Sequence, residues 1–562
     1  MRSSPLSSLA LTLSRWRAEW RVETLALAAS VFFVLACNAN WWSGVLAGRS
    51  WSEPSTWLFA GAVFVLLAAL QFALLALLLN RWTARPLLAL LFAATAFAVY
   101  YMRKYNVFLD PSMLRNVLRT DVNEARELVD WGLLPQLLLY AVLPIALLWR
   151  VRVRRVPLGR ALLQRLGAVV LALAAGVGAL LLVFQDFSSL MRNQKELRYL
   201  ITPANYLYSL AWVLGADTQT AARPRQPIGT DAKLGPAWAQ RQKPALLVLV
   251  VGETARAANW GLDGYARQTT PELAAIPELI NFPKVTSCGT NTETSVPCMF
   301  SPWGRRHYDE ARIRGSESLL NVLQRAGVDV MWRDNQSGCK GVCDGVPSQV
   351  MGAADDPALC DGERCLDEIL LRGLDQRLAE PKKGPQVLVL HQLGNHGPAY
   401  YKRYPPAFRR FVPPCDSADL RQCSREQIVN AYDNALLYTD HVLAQLVALL
   451  KARQDTVDSA LVYVSDHGES LGENNLFLHG LPYAIAPGEQ THVPMVMWFS
   501  PGFAQDFGID LQCMRRRAVQ PAQHDHLFHT VLGLLDVQTQ VQEKEMDLSA
   551  ACRSLPSRQA SP

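Results

Sequence analysis

The chain has 562 residues, room for more than one domain, and half of them are hydrophobic, with the apolar residues crowded into the first third. Its net charge of +6 sits largely in short loops between apolar runs, which argues against nucleic-acid binding. No glycine-rich nucleotide fingerprint, P-loop or Gly-x-Ser-x-Gly elbow is present, so the enzyme classes that depend on them drop out.

Five apolar segments open the chain, at residues 24–46, 56–79, 86–101, 131–149 and 166–184. Four have the length of a bilayer-crossing helix and the third falls just short. Pro135 and Pro144 are expected to kink the fourth rather than end it. Four further spans and the lack of a small-residue cleavage site argue against reading the first as a signal peptide. Arg2, Arg15, Arg17 and Arg21, then Arg81 and Arg85, then Arg150, Arg152, Arg154, Arg155, Arg160 and Arg165 all fall on one side. The positive-inside rule therefore puts the N-terminus in the cytoplasm and, after five crossings, the remainder of the chain outside.

Residues 112–129 read as a helix at the outer membrane surface, with Asn116, Thr120 and Glu124 on one face at i, i+4 and i+8. Those polar groups suit a lipid headgroup, or else form an ordinary solvated face. Residues 197–214 read as helical and 215–242 as a Pro/Gly/Ala-rich linker.

Beyond the linker the pattern changes to that of an open α/β sheet. Residues 245–251 are seven apolar residues in a row, followed by Gly252 and Glu253, a buried strand delivering a carboxylate at its C-terminal end. Residues 460–465 deliver Asp466, His467, Gly468 and Glu469 in the same way, and 387–391 run into Gly394-Asn-His-Gly397. One such acid alone would read equally well as a helix cap. Together they describe a metal site with oxygen and nitrogen ligands suited to zinc. Between Cys288 and Cys298 lies a hydroxyl-rich turn, and a hydroxyl beside a metal can lose its proton and attack phosphorus. Thr290, Thr292, Thr294 and Ser295 all stay open as that hydroxyl. Helices are expected at 317–326, 367–378 and 427–451, and strands at 328–332 and 491–498. The polar loop 334–341 offers Lys340 as a phosphate partner. Asp525, His526 and His529 open a late helix and read as caps or surface groups rather than as metal ligands.

Of the 11 cysteines, ten lie in this second part: 288/298, 339/343, 360/365 and 415/423 form close pairs, and 513 and 552 pair by elimination. Disulfides in an oxidising compartment are the natural reading, and they agree independently with the orientation set by charge. Structural zinc at Cys339/Cys343 or Cys360/Cys365 is the rival. Cys37, inside the first span, is expected to be unpaired.

Four motifs carry a resemblance: Val-Gly-Glu-Thr-Ala-Arg at 251–256, Asn-Thr-Glu-Thr-Ser at 291–295, Asn-His-Gly-Pro at 395–398 and Ser-Asp-His-Gly-Glu-Ser-Leu-Gly-Glu at 465–473. With the five spans and the cysteine pairs, the chain resembles, over essentially its whole length, the bacterial phosphoethanolamine transferases that act on lipid A. The resemblance implies a multi-pass inner-membrane enzyme with an all-α five-helix transmembrane domain at 1–184. Bridging helices and a linker follow at 185–242, then a periplasmic α/β catalytic domain of alkaline phosphatase/sulfatase-like fold at 243–562. It implies Zn2+, one ion and in some cases two, on Glu253, Thr292, Asp466 and His467, with Thr292 as nucleophile. His396 and His479 are implied near the transferred phosphate or a second metal. Asn116, Thr120, Glu124, Ser337 and Lys340 are implied at the headgroup, with Gln336 where some relatives have asparagine. Phosphatidylethanolamine would be the donor, lipid A the acceptor, membrane lipids the surroundings and a monomer the working form. A core heptose or a periplasmic glucan is the rival acceptor. A glycerophosphate polymerase is disfavoured by the cysteine pairs, and a transporter by few spans and few buried ionisable residues within them.

Overall fold

The computed structural model describes residues 18–221, 224–239, 241, 243–362, 364–379 and 383–554, without the side chains of 123, 124 and 219–221. The chain divides into two compact units. One holds the residues up to Leu114 together with Asp130–Val213; the other holds Arg115–Val129 and everything from Leu214 onward.

The first unit is helical. Its apolar elements are α1 (Val22–Ala36), α2 (Ala39–Val45), α3 (Pro54–Leu78) and α4 (Ala84–Tyr105). The short α5 (Pro111–Arg119) passes into the other unit at Arg115, and α6 (Val122–Leu128) lies wholly in it. Then come α7 (Leu133–Arg150, with a π turn at Leu138–Val142) and α8 (Leu158–Leu182). By length and composition α3, α4, α7 and α8 can each cross a membrane, and α1 with α2 forms a broken span bent by 63°. The expected first span is therefore two helices. Asn38 causes the break: its side-chain amide donates to Phe33 O (2.7 Å) and Thr202 O (3.0 Å), and its oxygen accepts from Thr202 N (2.7 Å). The third span, expected to be short, is the 22-residue α4, because Pro86 is tolerated in its first turn and Arg103 and Lys104 extend its last. Glu19 and Trp20 pair with Arg152 and Val153, Arg165 bonds Glu23, and Arg85 bonds Val151 O. The arginine-rich loops and the N-terminal arm thus meet at one end of this unit, as the charge argument requires.

The second unit is built on an eight-stranded sheet. Its strands are β1 (Ala245–Gly252), β2 (Ile280–Thr286), β3 (Asp329–Asp334), β4 (Ser348–Val350), β5 (Pro385–His391), β6 (Asp458–Ser465), β7 (His492–Phe499) and β8 (Ala522–Gln523). Their order across the sheet is β8-β2-β7-β6-β1-β5-β3-β4, and only β7 runs antiparallel to the others. β1, β5 and β6 are buried along their whole length, which is why they read as unbroken apolar runs rather than as alternation. The long α9 (Arg425–Ala452) also has the length and composition of a span, but it lies in this unit and buries residues such as Tyr432, Leu436 and Leu443. Its start is fixed by a capping box between Ser424 and Gln427.

Three stretches differ from the sequence reading. The helix expected over 112–129 is broken at Thr120 and Asp121. Thr120 Oγ1 donates back to Asn116 O (2.8 Å), and Asp121 O accepts from Ala125 N (2.9 Å) to open α6. The helix expected over 197–214 is a 3-10 turn at Lys195–Leu200 and then a helix, Ala204–Ala221. Of the expected linker, Lys233–Leu234 pairs with Val537–Gln538, and Trp238 Nε1 donates to Leu535 O (2.6 Å). That stretch packs on the core of the α/β unit.

All five cysteine pairs are disulfides, Cys288–Cys298, Cys339–Cys343, Cys360–Cys365, Cys415–Cys423 and Cys513–Cys552, and Cys37 is free and buried.

Candidate active site and metal centre

Strand register builds the site. β1 and β6 are parallel neighbours with Gly252 opposite Ser465, so the next residues, Glu253 and Asp466, emerge side by side at the C-terminal edge of the sheet. The turn after β1 is held in an unusual shape. Thr254 has φ +60°, its N–H donates to Asp466 Oδ1 (3.2 Å) and its hydroxyl to Glu253 Oε1 (2.5 Å). Gly394, at φ +53° in the loop after β5, lies against this turn: a Cβ there would sit 2.6 Å from Glu253 O. Only glycine meets both conditions.

Glu253, Asp466 and His467 are fully buried, and one ligand atom from each lies within 4.8 Å of the others. His467 Nδ1 is paired with Gly468 O (2.9 Å), which leaves Nε2 facing Glu253 Oε1 (3.4 Å) and Asp466 Oδ2 (3.5 Å). A hydrogen bond from one ring nitrogen to a backbone carbonyl fixes which nitrogen of such a histidine is available to a metal. Asp466 Oδ2 has no hydrogen bond among the described residues. Burial pushes up the carboxyls, and Asp466, repelled by Glu253, stays raised, whereas His467 holds Glu253 well below the usual carboxylate range. Burial disfavours a charged His467, yet the two carboxylates lift its pKa above the ordinary imidazole value. Two buried acids, an imidazole aimed between them and an unsatisfied oxygen form a donor set that fits a divalent cation.

Thr292 is the first residue of a short helix, Thr292–Met299. Asn291 caps it by accepting from Thr294 N (3.0 Å). Thr292 Oγ1 lies 3.1 and 3.4 Å from the Glu253 oxygens and 3.5 Å from His467 Nε2. Of the four hydroxyls left open by the sequence, this one borders the acid cluster; Thr290 Oγ1 instead donates to Leu481 O (2.7 Å). His479 stacks near His467 with ring centroids 4.4 Å apart, and His396 lies 5.8 Å from His479. Gln336 Nε2 donates to Glu253 Oε2 (3.2 Å), and Ser337 and Lys340 follow it in the same loop. Asn116 and Thr120 are bonded to each other on the 111–128 segment, and the Glu124 side chain lies outside the described residues.

Asp525, His526 and His529 are used structurally. Asp525 accepts from Arg305 N and Arg306 N, His526 Nδ1 from Gln523 N and His529 Nδ1 from Glu543 N. The sequence reading passed over three other groups. Glu293, next to Thr292, binds Arg119 (3.0 Å) and Arg314 (3.1 Å). His391, on β5, pairs with Asp334 (3.0 Å), whose other oxygen accepts from Gln336 N and Gly338 N to shape the 336–340 loop. Arg403 joins His396 O (2.6 Å) to Glu127 (2.5 Å). The one available signal was the acid inside Thr-Glu-Thr; the rest depends on contacts between residues far apart in the chain.

Residues 67–217 match the family described as "Phosphoethanolamine transferase EptA/EptB", and residues 245–537 match the sulfatase family. Phosphoethanolamine transferase EptA of Salmonella typhimurium is 40% identical over 476 residues, covering 84% of this chain and 86% of that one. The chain belongs to the phosphoethanolamine transferase family. Phosphatidylethanolamine transferase Mcr-1 of Escherichia coli is 36% identical, covering 92% of this chain and 95% of its own. The integral membrane lipooligosaccharide phosphoethanolamine transferase A of Neisseria meningitidis superposes with a TM-score of 0.90 at 38% identity, covering 95% of this chain and 99% of that one. This phosphoethanolamine transferase is thus an enzyme of the alkaline phosphatase/sulfatase superfamily, multi-pass in the inner membrane, with its α/β unit in the periplasm.

Proposed function

We propose that this transferase moves phosphoethanolamine from phosphatidylethanolamine to a phosphate of lipid A, with Thr292 as nucleophile and Zn2+ on Glu253, Asp466, His467 and the Thr292 oxygen. The observation that carries the reading is the Thr292 hydroxyl at the N-terminus of its helix, 3.1 Å from a fully buried carboxylate in a three-donor metal cluster. When bound, zinc supplies Lewis-acid stabilisation of phosphoryl charge and makes a neighbouring hydroxyl easier to deprotonate.

The chain's own groups then divide the work. Thr292 Oγ attacks the phosphodiester phosphorus, the bond from phosphorus to the diacylglycerol oxygen breaks, and that oxygen leaves with a proton. The headgroup is left as a phosphodiester on Thr292. A phosphate oxygen of the acceptor next attacks the same phosphorus and Thr292 Oγ departs, regenerating the hydroxyl. His479 stands beside His467 and His396 beside His479, and in this reading the two stabilise charge on the transferred group. Gln336, Ser337 and Lys340 border it on the other loop, and Asn116, Thr120 and Glu124 serve the donor headgroup. Both substrates are lipids, so the membrane unit raises their effective concentration at the site.

The test is mass spectrometry of lipid A from cells making either the natural protein or Thr292→Ala. A phosphoethanolamine adduct with the natural protein alone is the expected result. Unmodified lipid A in both cultures, with both proteins in the membrane, would remove lipid A as acceptor and direct the search to core sugars.

A further inference from the structure

Six residues close a ring around the proposed nucleophile. Thr292 Oγ1 and Gln336 Nε2 both reach Glu253 Oε2, at 3.1 and 3.2 Å. Ser337 Oγ donates to Gln336 Oε1 (2.6 Å) and accepts from Lys340 Nζ (2.6 Å). Lys340 Nζ lies 3.6 Å from Glu293 Oε1, and Glu293 follows Thr292 in the chain. The ring is buried at this point: the side chains of Glu293 and Lys340 are 2% and 7% exposed. The second oxygen of Glu293 binds Arg314 (3.1 Å) and Arg119 (3.0 Å), which is on α5 three residues after Asn116. One carboxylate therefore faces three cations. Arg119 also pairs with Asp217 (3.3 Å) and Arg314 with Glu310 (3.1 Å), so what Glu293 adds is the link from both arginines to Lys340. Its place in the first turn of the Thr292 helix also sets its charge favourably against the helix dipole.

We propose that Glu293 is a positioning residue for both substrate-binding segments. It anchors Lys340, and through it the Gln336–Ser337 pair, on one side of Thr292. On the other side it anchors Arg119 with the α5 residues that serve the donor headgroup. It does not touch the reacting atoms. The inference rests on the proposed transfer at Thr292, and two kinds of measurement separate it from that reading.

The first is hydrogen exchange on the full chain in lipid nanodiscs. In Glu293→Gln, amides of residues 115–121 and 336–341 are expected to exchange roughly tenfold faster while β1, β5 and β6 stay unchanged. Glu293→Asp, which keeps the charge, is expected to restore much of the protection. The second is kinetics with phosphatidylethanolamine vesicles. For Glu293→Gln, KM is expected to rise about tenfold and kcat to fall less than threefold, and combination with Lys340→Met is expected to add little. Unchanged exchange in both segments would overturn the proposal, as would fully independent effects of the two substitutions. Faster local exchange in a protein whose natural form transfers nothing would refute the transfer reading and leave the positioning role standing.

Discussion

His524 joins the two segments that supply the site without being part of it. Its Nδ1 accepts from Cys288 N (3.1 Å), at the start of the turn that leads to Thr292, and its Nε2 donates to Ser465 O (2.9 Å), one residue before Asp466. Accepting at Nδ1 needs a neutral ring, and burial holds its pKa down at about 4, against an ordinary 6.5. Between those values the unfolded chain binds the extra proton and the folded chain does not. Stability from this group is therefore complete above about 6.5 and is lost as pH falls toward 4, by on the order of 3 kcal/mol in total. Gln at this position keeps one acceptor and one donor but cannot titrate. Thermal melting of the full chain in detergent at pH 7 and pH 5 is expected to show a larger acid-induced drop for the natural protein than for His524→Gln. Equal drops would mean that His524 is not the acid-sensitive link.

At the scale of elements, the Thr292 helix is short and held at both ends. Asn291 caps its start, and the Cys288–Cys298 bond ties its last turn to the chain leaving β2. Closing a loop over a separation of ten residues is worth about 3 kcal/mol in the chain-entropy account. Replacing both cysteines by serine is expected to lower unfolding stability by about that amount and to cut transfer more steeply than stability alone would, because the freed turn carries Thr292, the proposed nucleophile. Equilibrium denaturation alongside an activity assay checks both; full activity in the serine variant would show that the helix is positioned without the bond. The strands that carry the site's acids and histidines at their ends were legible in the sequence. β1, β5 and β6 are buried on both faces, so their apolar runs and the residues at their ends stood out. The breaks at Asn38 and at Thr120–Asp121 were not, since each depends on what one polar side chain bonds rather than on proline or glycine. The Glu293 cluster was hidden for a further reason: its cations come from positions 119, 314 and 340, and periodicity carries no information about such pairings.

At the scale of the molecule, the chain passes between its two units three times, at 114/115, 129/130 and 213/214. The inserted piece, Arg115–Val129, is flanked in sequence by membrane helices but belongs to the catalytic unit. Arg115 pairs with Glu310, Arg119 with Glu293, Asp121 with Arg364 and Glu127 with Arg403. In the last pair the side chains are 0% and 4% exposed, and Arg403 also donates to the carbonyl of His396. A fragment beginning at Gly215 would keep the whole sheet and the Glu253–Asp466–His467 cluster but lose all four partners at once. Fully buried Arg403 would be left without Glu127, and Glu293 would keep Arg314 and Lys340 but lose Arg119, which loosens the His396 loop and the Thr292 helix. The fragment is therefore expected to melt below the catalytic unit of the full chain while still hydrolysing a small soluble phosphoethanolamine ester at a reduced rate. Transfer between lipids in vesicles is expected to fall further, by roughly 100-fold or more, because the proposed headgroup segment and the membrane concentration effect go together. Fragment activity on vesicles within tenfold of the full chain would show that neither the inserted segment nor the membrane helices deliver the lipid substrates.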